Sequence, residues 1–164
     1  MLFLLISIEL LSQDLNKIIL GEYSEPMLIG YCTREAFNDS SFAKWFYPEY
    51  DNYKTDSSAI DLLKEKLNGI ECIVIMGTWC DDSRIHIPHL YKILDEINYP
   101  AKGITLIAVD EDKKAEGGEV EALDLYFVPT IIFFKDGSEI GRIIEMPNQS
   151  IEEDMLEIIS QEVL

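Results

Sequence analysis

Cysteines are few in this sequence of 164 residues, and no two of them form a Cys-x-x-Cys pair. The three cysteines, Cys32, Cys72 and Cys80, are too few and too scattered for a disulfide framework or a zinc ribbon. Because their number is odd, at least one thiol stays free even if the other two were joined. The useful question is therefore which cysteine is exposed and activated.

Basic residues are also scarce, with 13 Lys and Arg against 31 Asp and Glu and a formal net charge of −18. A surface of this charge repels phosphate backbones and anionic lipid headgroups over most of its area. We therefore expect no nucleic-acid partner and no insertion of the folded part of the chain into a membrane.

Long apolar runs are missing too, since a membrane-spanning helix needs about 20 apolar residues. The segment Met1 to Leu11 is almost continuously apolar, but no Lys or Arg precedes the run and Glu9 interrupts it. Two interpretations stay open for residues 1–13: a signal remnant or an ordinary N-terminal helix or strand. The first interpretation slightly favours a periplasmic or exported protein over a cytoplasmic one.

The chain from residue 70 onward alternates apolar runs with helical periodicity, which predicts an α/β unit whose sheet is covered on both faces. Apolar residues make up 48% of the sequence, enough for one compact core. The pattern predicts strands over residues 70–76, 104–109, 131–134 and 139–144. It predicts a helix after Cys80, a short helix over residues 119–125 and a last helix that starts in a capping box at Ser150.

The part before residue 70 is rich in aromatic residues: Phe42, Trp45, Phe46, Tyr47, Tyr50 and Tyr53. A helix marked by Ile60, Leu63 and Leu67 follows them. Aromatic side chains contribute much core area, so we expect them to pack this part onto the sheet; a peptide-binding surface is the alternative. We predict an N-terminal extension over residues 14–69 and the main domain over residues 70–164.

Cys80 lies between a predicted strand and a predicted helix, so its sulfur is expected at a helix N-terminus. Free backbone N–H groups and the helix dipole stabilise a thiolate there, and the thiolate is the attacking species in disulfide exchange. The motif Trp79-Cys80-x-x-Ser83 resembles the active-site turn of thioredoxins. Val128-Pro129-Thr130 resembles the cis-proline loop of that family, and Phe133 to Gly137 resembles its closing hairpin.

The resemblance implies a thioredoxin fold, with a central mixed β-sheet flanked by helices and, here, an N-terminal helical and aromatic extension. The sequence also resembles a group of bacterial thioredoxin-like proteins. It implies that Cys80, Ser83 and Trp79 form the catalytic site and that Val128, cis-Pro129 and Thr130 bind substrate. The implied partners are protein or low-molecular-weight disulfides and thiols, and we expect a monomer.

Two features depart from the thioredoxins at large. Ser83 stands where the resolving cysteine would be, so a dithiol mechanism is excluded and Cys80 would act alone. Asp81 and Asp82 follow the cysteine and oppose a negative charge on its sulfur, while the Ser83 hydroxyl could hydrogen-bond that sulfur. The resulting prediction is a thioredoxin-like oxidoreductase with a single thiol; the alternative is a redox-inactive binding module for peptides or a partner protein.

The remaining candidate groups have weaker claims. Cys72 lies on a predicted interior strand and is expected to be a buried apolar residue. Cys32 is a candidate remote resolving thiol, with an inert cysteine as the default interpretation. His86 and His89 are spread around the helix after Cys80, so we predict no metal site, and nothing in the sequence indicates a cofactor.

Overall fold

The computed structural model describes residues 14–161, which form one mixed sheet with helices packed against it. The expectations for residues 1–13 lie outside the described residues. The strands are β1 (Lys17–Leu20), β2 (Pro26–Cys32), β3 (Ile70–Met76), β4 (Ile104–Ala108), β5 (Thr130–Lys135) and β6 (Ser138–Ile144). The α-helices are α1 (Ser40–Asn52), α2 (Ser57–Lys66), α3 (Asp81–Glu96) and α4 (Ile151–Ser160). The predicted α/β class is confirmed.

The strand order is β1-β2-β4-β3-β5-β6, and β3 and β4 are the parallel pair. The other neighbouring strands pair antiparallel. Strand β3 lies near the middle because its apolar run suits burial on both faces. Its Val74, Ile75 and Met76 are fully buried, so the bounds and the interior position predicted for this strand are confirmed.

The aromatic stretch forms α1, a helix that the sequence analysis did not specify. Phe42 and Phe46 are buried, and the Phe46 ring stacks on Phe37 with a centroid separation of 4.4 Å. Helix α1 packs on α3, and its N-cap Asp39 accepts a hydrogen bond from the Ser41 amide at 2.8 Å. The interpretation of the aromatics as core residues is confirmed for Phe42 and Phe46. Partly buried side chains pack against this core at Trp45, Tyr50 and Tyr53, whereas Tyr47 is exposed.

Helix α4 begins as predicted, with Ser150 as N-cap and its Oγ accepting from the Glu153 amide at 3.2 Å. Glu152, the second residue of α4, is almost completely buried. One of its carboxylate oxygens accepts from the Tyr53 hydroxyl at 2.7 Å, and the other accepts from the Asp56 amide at 2.8 Å. This carboxylate therefore ties α4 to the connection between α1 and α2.

The predicted helix over residues 119–125 is wrong, because this segment consists of turns. Its hydrogen bonds span three residues, from the Glu121 amide to the Gly118 carbonyl and from the Leu123 amide to the Val120 carbonyl. Asp124 has a φ of 48°, a left-handed conformation that interrupts a right-handed helix.

The segment Met27 to Cys32 lies within β2, between β1 and β4. Strand β1, which the sequence analysis did not predict, forms that edge of the sheet. Among residues 14–161, every helix is too short or too polar to cross a lipid bilayer.

Candidate active site

Cys80 is the N-cap residue of α3, immediately after the turn that follows β3. Its backbone is extended, with φ −85° and ψ 126°, and its amide donates to the Gly77 carbonyl at 3.0 Å. The side chain is half-buried, whereas Cys32 and Cys72 are buried. Cys80 is thus the partly accessible thiol of the chain, and the free amides of the first helical turn lie next to it.

The loop before β5 brings a second group to Cys80. The Val128–Pro129 peptide bond is cis, and the Cys80 thiol donates to the Val128 carbonyl oxygen with an Sγ–O distance of 3.2 Å. The Pro129 carbonyl accepts from the Glu145 amide at 2.7 Å, and the Thr130 hydroxyl donates to the Phe127 carbonyl at 2.8 Å. The structure therefore joins Cys80 and the Val128 to Thr130 segment in one place.

Trp79 holds the turn in front of Cys80. Its indole Nε1 donates to the Val109 carbonyl at 2.9 Å, which ties the turn to the end of β4. The ring lies across Gly77: a Cβ at that position would be 2.5 Å from Trp79 Cε2. The glycine is required here because no other residue leaves room for the indole.

Ser83 is completely buried, and its Oγ accepts a hydrogen bond from the Gly77 amide at 3.2 Å. Within the described residues, no hydrogen bond joins Ser83 to Cys80, in contrast to the interaction considered from the sequence. The hydroxyl instead satisfies a buried backbone N–H of the turn, a group that would cost free energy if left unpaired.

Two neighbouring residues that sequence reasoning left out also hold the turn. Thr78 is buried, and its Oγ1 accepts from the Leu28 amide at 3.2 Å, which joins the turn to β2. The Arg84 Nε donates to the Thr78 carbonyl at 2.7 Å, and a guanidinium nitrogen lies 3.6 Å from an Asp81 carboxylate oxygen. No local pattern marks these residues, because Thr78 acts through a strand distant in sequence.

The other two cysteines are poor partners for Cys80. Burial raises the pKa of the Cys32 and Cys72 thiols to about 12, so both are protonated at neutral pH. Cys32 pairs with Leu106 of β4, which pairs with Val74 of β3. The Cα atoms of Cys32 and Val74 are therefore two strand spacings, about 10 Å, apart, and Cys80 lies beyond the far end of β3. Disulfide-bonded Cα atoms lie within about 7 Å. These observations argue against Cys32 as the resolving thiol and agree with a buried Cys72.

The two histidines on α3 have structural neighbours. The His89 ring stacks on Tyr53 at 4.0 Å, and its Nε2 lies 3.2 Å from a Glu49 carboxylate oxygen. Burial is the main cause that lowers the pKa of His86 and of His89. No group of three or more metal-ligating side chains occurs within residues 14–161.

The sequence is similar to a curated thioredoxin from Chlamydia pneumoniae, with 28% identity over 82 residues. The matched region covers 50% of this chain and 74% of that thioredoxin. No family model matches the chain. The fold of the chain is thioredoxin-like. Its strand-turn-helix around Cys80, the cis-proline beside the sulfur and the antiparallel hairpin β5–β6 confirm the expected thioredoxin fold.

Solved structures with related coordinates include a Pseudomonas aeruginosa protein of unknown function, with a TM-score of 0.47 and 15% identity over 71% of this chain and 75% of that one. They also include thioredoxin O2 from Arabidopsis thaliana in the oxidised state. For that protein the TM-score is 0.41 and the identity 22%, over 64% of this thioredoxin-like chain and 84% of the plant protein.

Proposed function

We propose that this thioredoxin-like protein is a thiol-disulfide oxidoreductase that uses Cys80 alone to form mixed disulfides with protein or small-thiol substrates. The observation that carries the proposal is the position of the Cys80 sulfur, half-exposed at the N-terminus of α3 and 3.2 Å from the Val128 carbonyl oxygen. The similarity to a thioredoxin over half of the chain supports the same chemistry.

The proposed reaction has two exchange steps with balanced atoms. The Cys80 thiolate attacks one sulfur of a substrate disulfide, a new Sγ–S bond forms, and the original S–S bond breaks. The leaving sulfur departs with the electron pair as a thiolate and takes a proton from water. A second, external thiolate then attacks the substrate sulfur of the mixed disulfide. A new S–S bond joins these two sulfurs, the bond to Cys80 breaks, and Cys80 leaves with the electron pair as a thiolate.

The external thiol is needed because, within residues 14–161, the cysteines other than Cys80 are buried. Ser83 occupies the position one helical turn after Cys80, and Cys32 and Cys72 are buried and protonated. In this proposal Trp79 and Ser83 position the reacting sulfur, since both hold the turn rather than contact a substrate. Val128, Pro129 and Thr130 form the adjacent surface on which the substrate backbone would lie.

The experiment incubates the reduced protein with 2-hydroxyethyl disulfide, a small neutral disulfide, and maps the adduct by mass spectrometry of peptides. We expect one mercaptoethanol per chain on Cys80, released when dithiothreitol is added. Cys80→Ser should prevent the adduct, and the matched variant Cys32→Ser should form it normally. An adduct confined to Cys32 or Cys72, or none at all, would overturn the proposal in favour of a binding module.

A further inference from the structure

The end of the sheet that carries Cys80 differs in charge from the opposite end. Cys80 follows β3 where β3 and β4 both end, and β2 pairs antiparallel with β4, so the turn before β2 lies at this end too. The opposite end holds Lys66 at the end of α2, Lys102 before β4 and Lys135 at the end of β5. Lys66 and Lys135 lie there beside Asp136 and Glu139, so that end carries charges of both signs.

Acidic residues occur on three segments of the chain that meet at the Cys80 turn. Asp81 and Asp82 form the first turn of α3, and the Asp81 side chain is 92% exposed. Asp110 and Glu111 follow Val109, whose carbonyl accepts from Trp79, and Glu145 donates its amide to the Pro129 carbonyl. These groups come from three parts of the chain that converge on Cys80.

The basic residues near this end do not cancel that charge. Arg84 is engaged with the Thr78 carbonyl and lies 3.6 Å from Asp81. Lys113 and Lys114 line a cavity together with Glu121 and Asp124, which offset them. A substrate that approaches Cys80 therefore meets a negative potential.

We propose that Cys80 selects disulfides flanked by cationic groups, such as the Lys- and Arg-rich segments of a basic polypeptide, over neutral and anionic disulfides. The inference rests on the proposed exchange reaction and specifies its substrate class. An acidic surface concentrates cations near the sulfur and speeds encounter, and it slows the approach of anions. A carboxylate-bearing small thiol is on the same grounds a poor second thiol for releasing Cys80.

The test compares three aliphatic disulfides that differ in charge: cystamine with two ammonium groups, neutral 2-hydroxyethyl disulfide, and dithiodipropionate with two carboxylates. Each rate of adduct formation on Cys80 is divided by the rate at which the same disulfide reacts with 2-mercaptoethanol. This division removes the intrinsic reactivity of the disulfide. At low salt we expect the normalised rate for cystamine to exceed that for dithiodipropionate on the order of tenfold or more.

High salt and substitutions of acidic residues test whether the selectivity arises from charges near Cys80. At 1 M salt the screening length falls to about 3 Å, so the ratio should approach one. The paired substitution Asp81→Asn and Asp82→Asn should lower the low-salt ratio at least threefold, on the order expected for steering by local charges. Because the ratio is taken within one variant, a changed thiolate fraction cancels. The matched control Asp136→Asn, in the β5–β6 turn at the opposite end, should leave the ratio nearly unchanged.

Three results would overturn this inference. A ratio near one at low salt, with normal reaction of all three disulfides, overturns the charge selection and leaves the exchange reaction standing. An equal loss of selectivity in Asp136→Asn assigns the effect to total charge rather than to the Cys80 end. Absence of reaction with every disulfide overturns the proposed function and this inference together.

Discussion

A second thiol at position 83 should turn the single-thiol site into a dithiol site. Cys80 is the N-cap of α3 and Ser83 is its third helical residue, so the two positions are one turn apart. Side chains at this spacing have Cβ atoms about 5–6 Å apart in a regular helix. Disulfides need Cβ atoms about 3.5–4.5 Å apart, so a small movement of the N-cap is sufficient.

The size of the effect follows from the difference between an internal and an external thiol. An internal thiol at position 83 has an effective concentration of at least about 1 mM, the value for a short flexible linker. A solution of the parent protein at about 1 μM offers Cys80 only micromolar external thiol. The mixed disulfide should therefore resolve about 1,000-fold faster in Ser83→Cys than in the parent protein.

The assay loads Cys80 with one equivalent of a small disulfide, removes excess reagent, and follows the intact mass with time at neutral pH. In Ser83→Cys the small thiol should leave, and the final mass should be that of the reduced chain less two hydrogens, which indicates an intramolecular disulfide. Ser83→Ala is the control, because it removes the same hydroxyl without adding a thiol and should keep the adduct. If Ser83→Cys retains its adduct as long as Ser83→Ala does, the assigned geometry of the site is refuted.

Three further predictions concern stability. Thr78→Val keeps the shape of the side chain but leaves the buried Leu28 amide without its acceptor, so urea unfolding should show a loss of about 1–3 kcal/mol; a loss below about 0.5 kcal/mol would contradict this role. Phe46→Ala should destabilise the protein by about 3–5 kcal/mol because the ring is fully buried. The control Tyr47→Ala, on the exposed face of α1, should lower the free energy of unfolding far less, and equal losses would refute the assigned packing of α1. The pKa of the Cys32 and Cys72 thiols is about 12 in the folded protein, against about 8.5 for a cysteine in an unfolded chain. Between these two pH values the native state binds more protons than the unfolded state. The free energy of unfolding should therefore fall as pH rises above about 8.5. Urea titrations from pH 7 to pH 10 should give a flatter profile for the Cys32→Ala and Cys72→Ala double variant, and identical profiles would contradict the burial of these thiols.

The parts of the fold that sequence patterns predicted correctly are those with local signals. Strand β3 is a continuous apolar run, and the capping box at Ser150 marks the start of α4 with residues that are close in sequence. The Asp136-Gly137 turn likewise follows from residues that tolerate positive φ, 51° and 78° in the structure.

The misses have non-local causes. Helix α1 contains Pro48, which disfavours a helix interior, and many aromatics, whose helix propensity is modest. Packing on α3 holds it in place. Residues 119–125 have helical spacing of apolar side chains, but the left-handed Asp124 gives a turn instead. Strand β1 depends on its partner β2 rather than on a distinctive pattern of its own.

The predictions about the site likewise separate into those with a local signal in the sequence and those without one. The position of Cys80 at a helix N-terminus follows from the strand and helix periodicity around it. Its contact with Val128, 48 residues away, was expected only from the resemblance of two short motifs to thioredoxins. The bond between Ser83 and the Gly77 amide depends on the exact path of the turn, so the sequence suggested the wrong partner for that hydroxyl.

The central claim is that one accessible sulfur, at the start of α3, carries the reactivity of the chain. The most direct measurement is the rate at which neutral iodoacetamide modifies each cysteine at pH 7, in the folded protein and in urea. In the folded protein Cys80 should react at least as fast as it does in the unfolded chain, while Cys32 and Cys72 should react far more slowly than when unfolded. A Cys80 that is protected by folding, or a Cys32 that reacts first, would contradict the account.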